Sequence, residues 1–155
     1  MVSPTACLRI AGEKKYSVVD GPGLRYVIYF QGCSHNCLGC HNPETHSFEG
    51  GEETIVEKLV VDILDTSGIT GVTISGGDPF FQYFYLLRLC QLLKEKTGLN
   101  IWVYTGYCEE EILTSFPDII HHVDALVVGP YVQEQRTLTV PFVGSFNQKI
   151  LHCGG

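Results

Sequence analysis

Residues 24–43 read "LRYVIYFQGCSHNCLGCHNP". An apolar run rich in strand formers (24–32) leads directly into Cys33, Cys37 and Cys40, spaced C-x3-C-x2-C. A run of that length suits a buried strand. Three cysteines in eight positions suit a metal, yet most cysteine-built sites want four ligands. Three readings stand on the spacing alone. One is an iron–sulfur cluster with one iron left open. Another is a closed Cys3His zinc site completed by His35, His41 or His46. The third is a set of plain buried thiols, since Cys is among the most buried residue types.

Outward from this stretch, strands and helices alternate. "TIVEKLVVDILDTSG" (54–68) carries apolar residues at i, i+4 spacing, so it predicts a helix. Thr54 and Glu57 make a capping-box pattern, and Gly68 suits the stop. "ITGVTIS" (69–75), "NIWVYTG" (100–106) and "VDALVVG" (123–129) predict strands, and "SFNQKIL" (145–151) a last one. "FFQYFYLLRLCQLLKEKTG" (80–98) predicts a second helix closed by Gly98. "CEEEILTSF" (108–116) predicts a third, with three acids in its first turn and Pro117 beyond. Such alternation points to parallel βαβ units in an α/β domain. At 155 residues the chain is too short for a complete eightfold barrel, so an open, partial parallel β/α barrel over 1–155 is expected.

Ligands in such sheets sit at the carboxyl ends of the strands. Three unusual segments fall there: the cysteines after the first strand, "SGGDP" (75–79) after the second, and "YTGY" (104–107) after the third. Gly76 and Gly77 let backbone approach a ligand closely, and Asp78 is an acceptor for an ammonium group. The competing reading of this segment is a tight turn with Pro79 starting the next helix. Tyr104, Thr105 and Tyr107 offer hydroxyls beside Gly106, and the competing reading is a strand end with ordinary aromatic packing. "DGPG" (20–23) is expected to be a structural turn.

Composition excludes several classes. The net charge of −7 argues against a general nucleic-acid binder. No apolar run reaches the length of a membrane span, and the N-terminal stretch lacks a signal-peptide core. A cytoplasmic location follows as the expectation, and the seven cysteines then read as thiols or metal ligands rather than disulfides. Cys7, Cys90, Cys108 and Cys153 match no motif. Cys90 is expected in the core and Cys153 at the surface. His121 and His122 are expected on the surface.

The cysteine spacing, followed by a glycine-rich turn after the next strand, resembles the radical S-adenosylmethionine superfamily. "DGPGLRYVIYFQGCSHNCLGCHNPETH" (20–46), "SGGDPF" (75–80), "WVYTGY" (102–107) and "PFVGSFNQKI" (141–150) together resemble the activating component of anaerobic (class III) ribonucleotide reductase. The similarity runs from about residue 16 to 151. The resemblance implies that Cys33, Cys37 and Cys40 hold one [4Fe–4S] cluster, and that S-adenosyl-L-methionine chelates the fourth iron. It implies that Ser75, Gly76, Gly77 and Asp78 bind the methionine amino group, with Gly39, Tyr104 and Thr105 toward the adenosyl moiety. His41 would pack against or hydrogen-bond to the cofactor. The implied reaction is reductive cleavage of the sulfonium to a 5′-deoxyadenosyl radical that takes hydrogen from a glycine of the reductase large subunit. Flavodoxin or ferredoxin would supply the electron. No nucleic acid or membrane is implied, and a homodimer is left open.

Two positions depart from the family's pattern: Val128 stands where Asp is common and Val143 where Arg is common. Asn147, Gln148 and Lys149 match the polar end of the family's last strand. The alternatives carried forward are a small radical enzyme acting on a diffusible substrate, such as a deazapurine-forming synthase, and a non-enzymatic zinc or redox-sensing module.

Overall fold

A computed structural model of the protein describes residues 7–33, 35 and 47–153. Seven strands form one sheet in the order β3-β1-β2-β4-β5-β6-β7. They are β1 (Leu8–Ser17), β2 (Arg25–Phe30), β3 (Glu52–Thr54), β4 (Gly71–Gly76), β5 (Asn100–Tyr104), β6 (Ala125–Val128) and β7 (Lys149–His152). The central four, β2, β4, β5 and β6, are parallel. Antiparallel strands extend both edges: β1 and β3 on one side, β7 on the other.

The helices α1 (Val56–Leu64), α2 (Tyr83–Lys96) and α3 (Glu109–Ser115) follow β3, β4 and β5. The parallel strands step steadily one way across the sheet, and right-handed crossovers then put every helix on one face. That face is the main core, where Tyr26, Ile28, Ile74, Val103 and Leu126 pack against Leu59, Ile63, Leu89, Leu93 and Ile112. The opposite face carries Trp102, Ala125 and Val127, and is covered by Phe142, Val143 and Ile150 rather than by a helix. No helix among the described residues is long and apolar enough to cross a membrane.

Several expectations shift. α1 begins at Val56, not Thr54, and its N-cap Ile55 makes no side-chain cap. Thr54 instead closes β3 and pairs with Leu8 of β1, so sheet pairing displaces the capping box. The helix ends at Leu64 with Asp65 as its cap, short of Gly68. The second helical stretch opens with a 3-10 turn (Pro79–Gln82) before α2. In α3, Cys108 and Glu111 form a reciprocal capping box behind the three acids. Strands β1 and β3 were not expected at all.

Arg25 locks the amino ends of the parallel strands. It is fully buried. Its Nε donates to Thr73 Oγ1 at 2.7 Å and its Nη1 to the Pro22 carbonyl at 2.7 Å. Its Nη2 donates to the carbonyls of Val72 and Asn100, both at 2.9 Å. The 20–23 turn is therefore structural, as expected: it supplies Pro22 to this clamp, and the Asp20 carbonyl accepts from Thr73 Oγ1 at 2.7 Å. Burial pushes the guanidinium down to about 10, a measure of what desolvating the charge costs.

Candidate active site

The cysteine segment leaves the carboxyl end of β2, and its described stems are pinned. Gln31 Nε2 donates to the Ser47 carbonyl at 2.7 Å. Arg9 donates to the carbonyls of Glu49, Gly50 and Gly51. Gln82 bridges Arg9 and Gln31 through their carbonyls at 2.8 and 3.0 Å. Cys33 is buried. Cys37, Gly39 and Cys40, with His41 and His46, lie outside the described residues.

The glycine turn is stitched to the same stem. Gly77 N donates to the Phe30 carbonyl and Asp78 N to the Gly32 carbonyl, both at 2.9 Å. Gly76 sits at φ +112°, and a Cβ there would lie 2.2 Å from the Phe30 carbonyl oxygen. Only glycine lets β4 run this close to β2.

These segments wall a cavity of about 120 Å³ lined by Cys33, His35, Ser75–Gly77, Tyr104–Gly106, Gly129, Tyr131 and Gln148. Gly129 also borders a second cavity of about 400 Å³, which Cys108, Glu109, Val128, Asn147 and Lys149 help line. The carboxyl ends of β2, β4 and β5 thus converge as the sequence suggested, and that of β6 joins them. Gly129, Pro130 and Tyr131 follow β6, and Tyr131 was missed. The signal was available, since the rule that placed the other segments applies to this strand end too.

Asp78 is wholly buried. Where the sequence suggested an acceptor for a ligand ammonium, its carboxylate accepts from protein groups on every side. His35 Nε2 donates at 2.6 Å, Gly106 N at 2.9 Å and Phe80 N at 3.0 Å. Thr105 Oγ1 lies 3.0 and 2.8 Å from the two oxygens. The bond to Asp78 lifts the His35 imidazole above its usual range, against the opposing effect of burial. The Thr105 hydroxyl also accepts from Tyr107 N at 3.1 Å, so it too is engaged internally.

Tyr104 differs. Its hydroxyl is buried and has no hydrogen-bond partner among the described residues, and the residue lines the cavity. Burial raises its pKa, so the phenol stays protonated.

At the far wall, Gln148 is used by the backbone. Its Oε1 accepts from Gly144 N and Ser145 N, and its Nε2 donates to the Gly129 carbonyl. Asn147 Nδ2 donates to the Pro130 carbonyl at 2.8 Å. Lys149 is exposed, 3.5 Å from Glu109. Val128 is buried at the end of β6, and Val143 packs on the Trp102 face. Cys90 lies in the core as expected. Cys153 is half-buried against that core rather than at the surface, because its backbone N is tied to the Asp124 carbonyl at the end of β7.

Comparison with known proteins places this arrangement. A family model described as "4Fe-4S single cluster domain" matches residues 19–151. The anaerobic ribonucleoside-triphosphate reductase-activating protein of Vibrio cholerae is 36% identical over 140 residues, covering 86% of this chain and 90% of that one. Its Escherichia coli counterpart is 32% identical over 142 residues, covering 87% and 92%. A pyruvate formate-lyase-activating enzyme of Clostridium pasteurianum is 38% identical over 129 residues, covering 75% of this chain and 53% of that one. Among solved structures, QueE from Escherichia coli shares the fold with a TM-score of 0.51 at 20% identity, over 64% of this chain and about half (53%) of that one. The chain belongs to the anaerobic ribonucleoside-triphosphate reductase-activating protein family, a branch of the radical S-adenosylmethionine enzymes.

Proposed function

We propose that this protein is a glycyl-radical activase acting on the large subunit of anaerobic ribonucleotide reductase. The observation that carries the reading is the convergence of Cys33, the Ser75–Gly77 backbone and Tyr104 on one cavity at the strand ends. Similarity to reductase-activating proteins over nine-tenths of their length supports it. Cys33, Cys37 and Cys40 would hold a [4Fe–4S] cluster whose open iron takes S-adenosyl-L-methionine. The donor set fits, with a buried thiol at the wall and a close-approach glycine turn.

Held by Cys33, Cys37 and Cys40 and reduced, such a cluster would supply the one electron needed for reductive cleavage of the sulfonium, the chemistry that ends in hydrogen abstraction from the target glycine. The chain's own residues do the positioning. Gly76 and Gly77 present backbone to the methionine end, and Tyr104, which lines the cavity, is assigned with Gly39 to the adenosyl end. Asp78 and Thr105 hold the walls in register rather than offering free polar groups. We extend the reading to one domain over 1–155 curved as an open, partial β/α barrel, with helices outside and the Trp102 face inside. Flavodoxin or ferredoxin serves as electron donor, in the cytoplasm. The diffusible-substrate alternative has a likeness of fold alone.

The test is anaerobic. The reconstituted protein, a reductant, S-adenosylmethionine and the reductase large subunit are combined, and the glycyl radical is followed by electron paramagnetic resonance. A radical that disappears with Cys37→Ala is expected. A loaded cluster that cleaves the cofactor yet leaves the reductase without a radical overturns the reading.

A further inference from the structure

Three chain segments meet at one carboxylate. Asp78 belongs to the glycine turn, Thr105 and Gly106 to the end of β5, and His35 to the cysteine segment, between Cys33 and Cys37. Asp78 is not free to swing, because Phe80 N at the start of the 3-10 turn and Gly106 N both hold it. His35 therefore meets a fixed acceptor. The imidazole is also held from the sides, edge-on to Tyr107 at 4.8 Å and tilted against Phe81 at 5.3 Å between ring centroids. Its side chain is only 19% exposed. A Cβ at Gly106 would lie 2.8 Å from the ring, so the turn after β5 carries a residue that makes room for it.

We propose that His35 is a positioning residue: by donating from Nε2 to Asp78 it fastens the cysteine segment to the cofactor-binding turn. It thereby sets the affinity for S-adenosylmethionine through the spacing of the cavity walls. The proposal rests on the radical-enzyme reading above. The physical argument is one of spacing. Cys33 and His35 form one wall of the cavity, and Ser75–Gly77 with Tyr104–Gly106 form the other. The His35–Asp78 bond is a side-chain hydrogen bond that ties the first wall to the turn carrying the second. A ligand that must touch both walls binds best when their separation is set beforehand.

The ring packing and the hydrogen bond separate by substitution. His35→Phe keeps an aromatic ring between Tyr107 and Phe81 and removes the donor. His35→Gln gives up the ring and keeps an N–H at similar reach. Each reconstituted variant is assayed anaerobically for iron and sulfide content and for equilibrium binding of S-adenosylmethionine. The cofactor-induced change in the reduced-cluster electron paramagnetic resonance spectrum is recorded as well. The expected result is a wild-type cluster content in His35→Phe, about tenfold weaker cofactor binding and a blunted spectral change, with most of the affinity restored in His35→Gln. Wild-type affinity in His35→Phe overturns the proposal. So does an equal loss in both variants, which makes the ring rather than the bond responsible, and so does loss of the cluster itself in His35→Phe. A wild-type protein that takes up no cluster fails the underlying reading instead.

Discussion

Replacing Asp78 with Asn preserves shape and reverses the hydrogen-bonding logic of half the group. A carboxylate only accepts, whereas an amide turns one oxygen into a pair of donors. In the native protein one oxygen accepts from Phe80 N at 3.0 Å, and the other from Gly106 N at 2.9 Å and His35 Nε2 at 2.6 Å. Thr105 can rotate its hydroxyl and His35 can change tautomer, but a backbone N–H cannot adapt. Whichever way the amide turns, its NH2 faces one of those two backbone donors. The cost combines a lost charge-assisted bond, about 1.5–3 kcal/mol, with a stranded buried donor, about 1–3 kcal/mol. A total of roughly 3–5 kcal/mol results, a large share of the ~5–15 kcal/mol that holds a typical domain together. At about 2–4 °C per kcal/mol for a chain of this size, the midpoint should fall by roughly 6–20 °C. Urea denaturation of the cluster-free protein under anaerobic conditions, followed by two probes, measures the free-energy loss, and a thermal scan measures the midpoint. A loss below about 1 kcal/mol would refute the argument, because it would mean that these donors do not converge on the carboxylate.

Arg25→Met removes the clamp on the amino ends of β2, β4 and β5 and should cost about 2–4 kcal/mol, the lost bonds being partly offset by relief of the buried charge. Arg25→Lys should recover less than half, since one ammonium cannot reach acceptors on three segments; thermal midpoints of both variants decide it. Cys90, fully buried and pushed up to about 12 by desolvation, should resist iodoacetamide in the folded protein at pH 8, while exposed Cys7 and Cys108 react. Because its folded pKa lies above its usual 9.0, its contribution to stability is present below pH 9 and lost as the pH rises toward 12. Peptide mapping and alkaline denaturation test the two halves, and rapid native labelling of Cys90 contradicts both.

Much of this was legible in the chain. The parallel strands announce themselves as β-branched and aromatic runs, and the helices through their i, i+4 spacing, because burial on one face or both imposes those patterns. β1 was hidden by the charged run Glu13–Lys15, which a half-exposed edge region tolerates. β3 was hidden by its length of three residues. Thr54 shows local chemistry losing to distant pairing: its capping pattern is genuine, but Leu8 claims its backbone. At the site, the rule of strand ends placed the segments correctly. The rule could not show that Asp78 faces inward onto His35, forty-three positions away in the chain. Nor could it show that the Tyr104 hydroxyl lacks a partner while that of Thr105 is engaged.

The clasp between Gln31 and Ser47 has a consequence for how a metal centre is assembled. Cys33, Cys37 and Cys40 all lie on the chain between those two residues. Closing the ends of a chain segment in advance removes much of the entropy that each later ligand would otherwise forfeit. On the proposed assignment of these three as cluster ligands, once one thiolate captured iron the next two would be presented at high effective concentration, as the arms of a chelator are. The folded sheet thus acts on the cysteine segment as the backbone of a multidentate reagent, ready before any iron arrives.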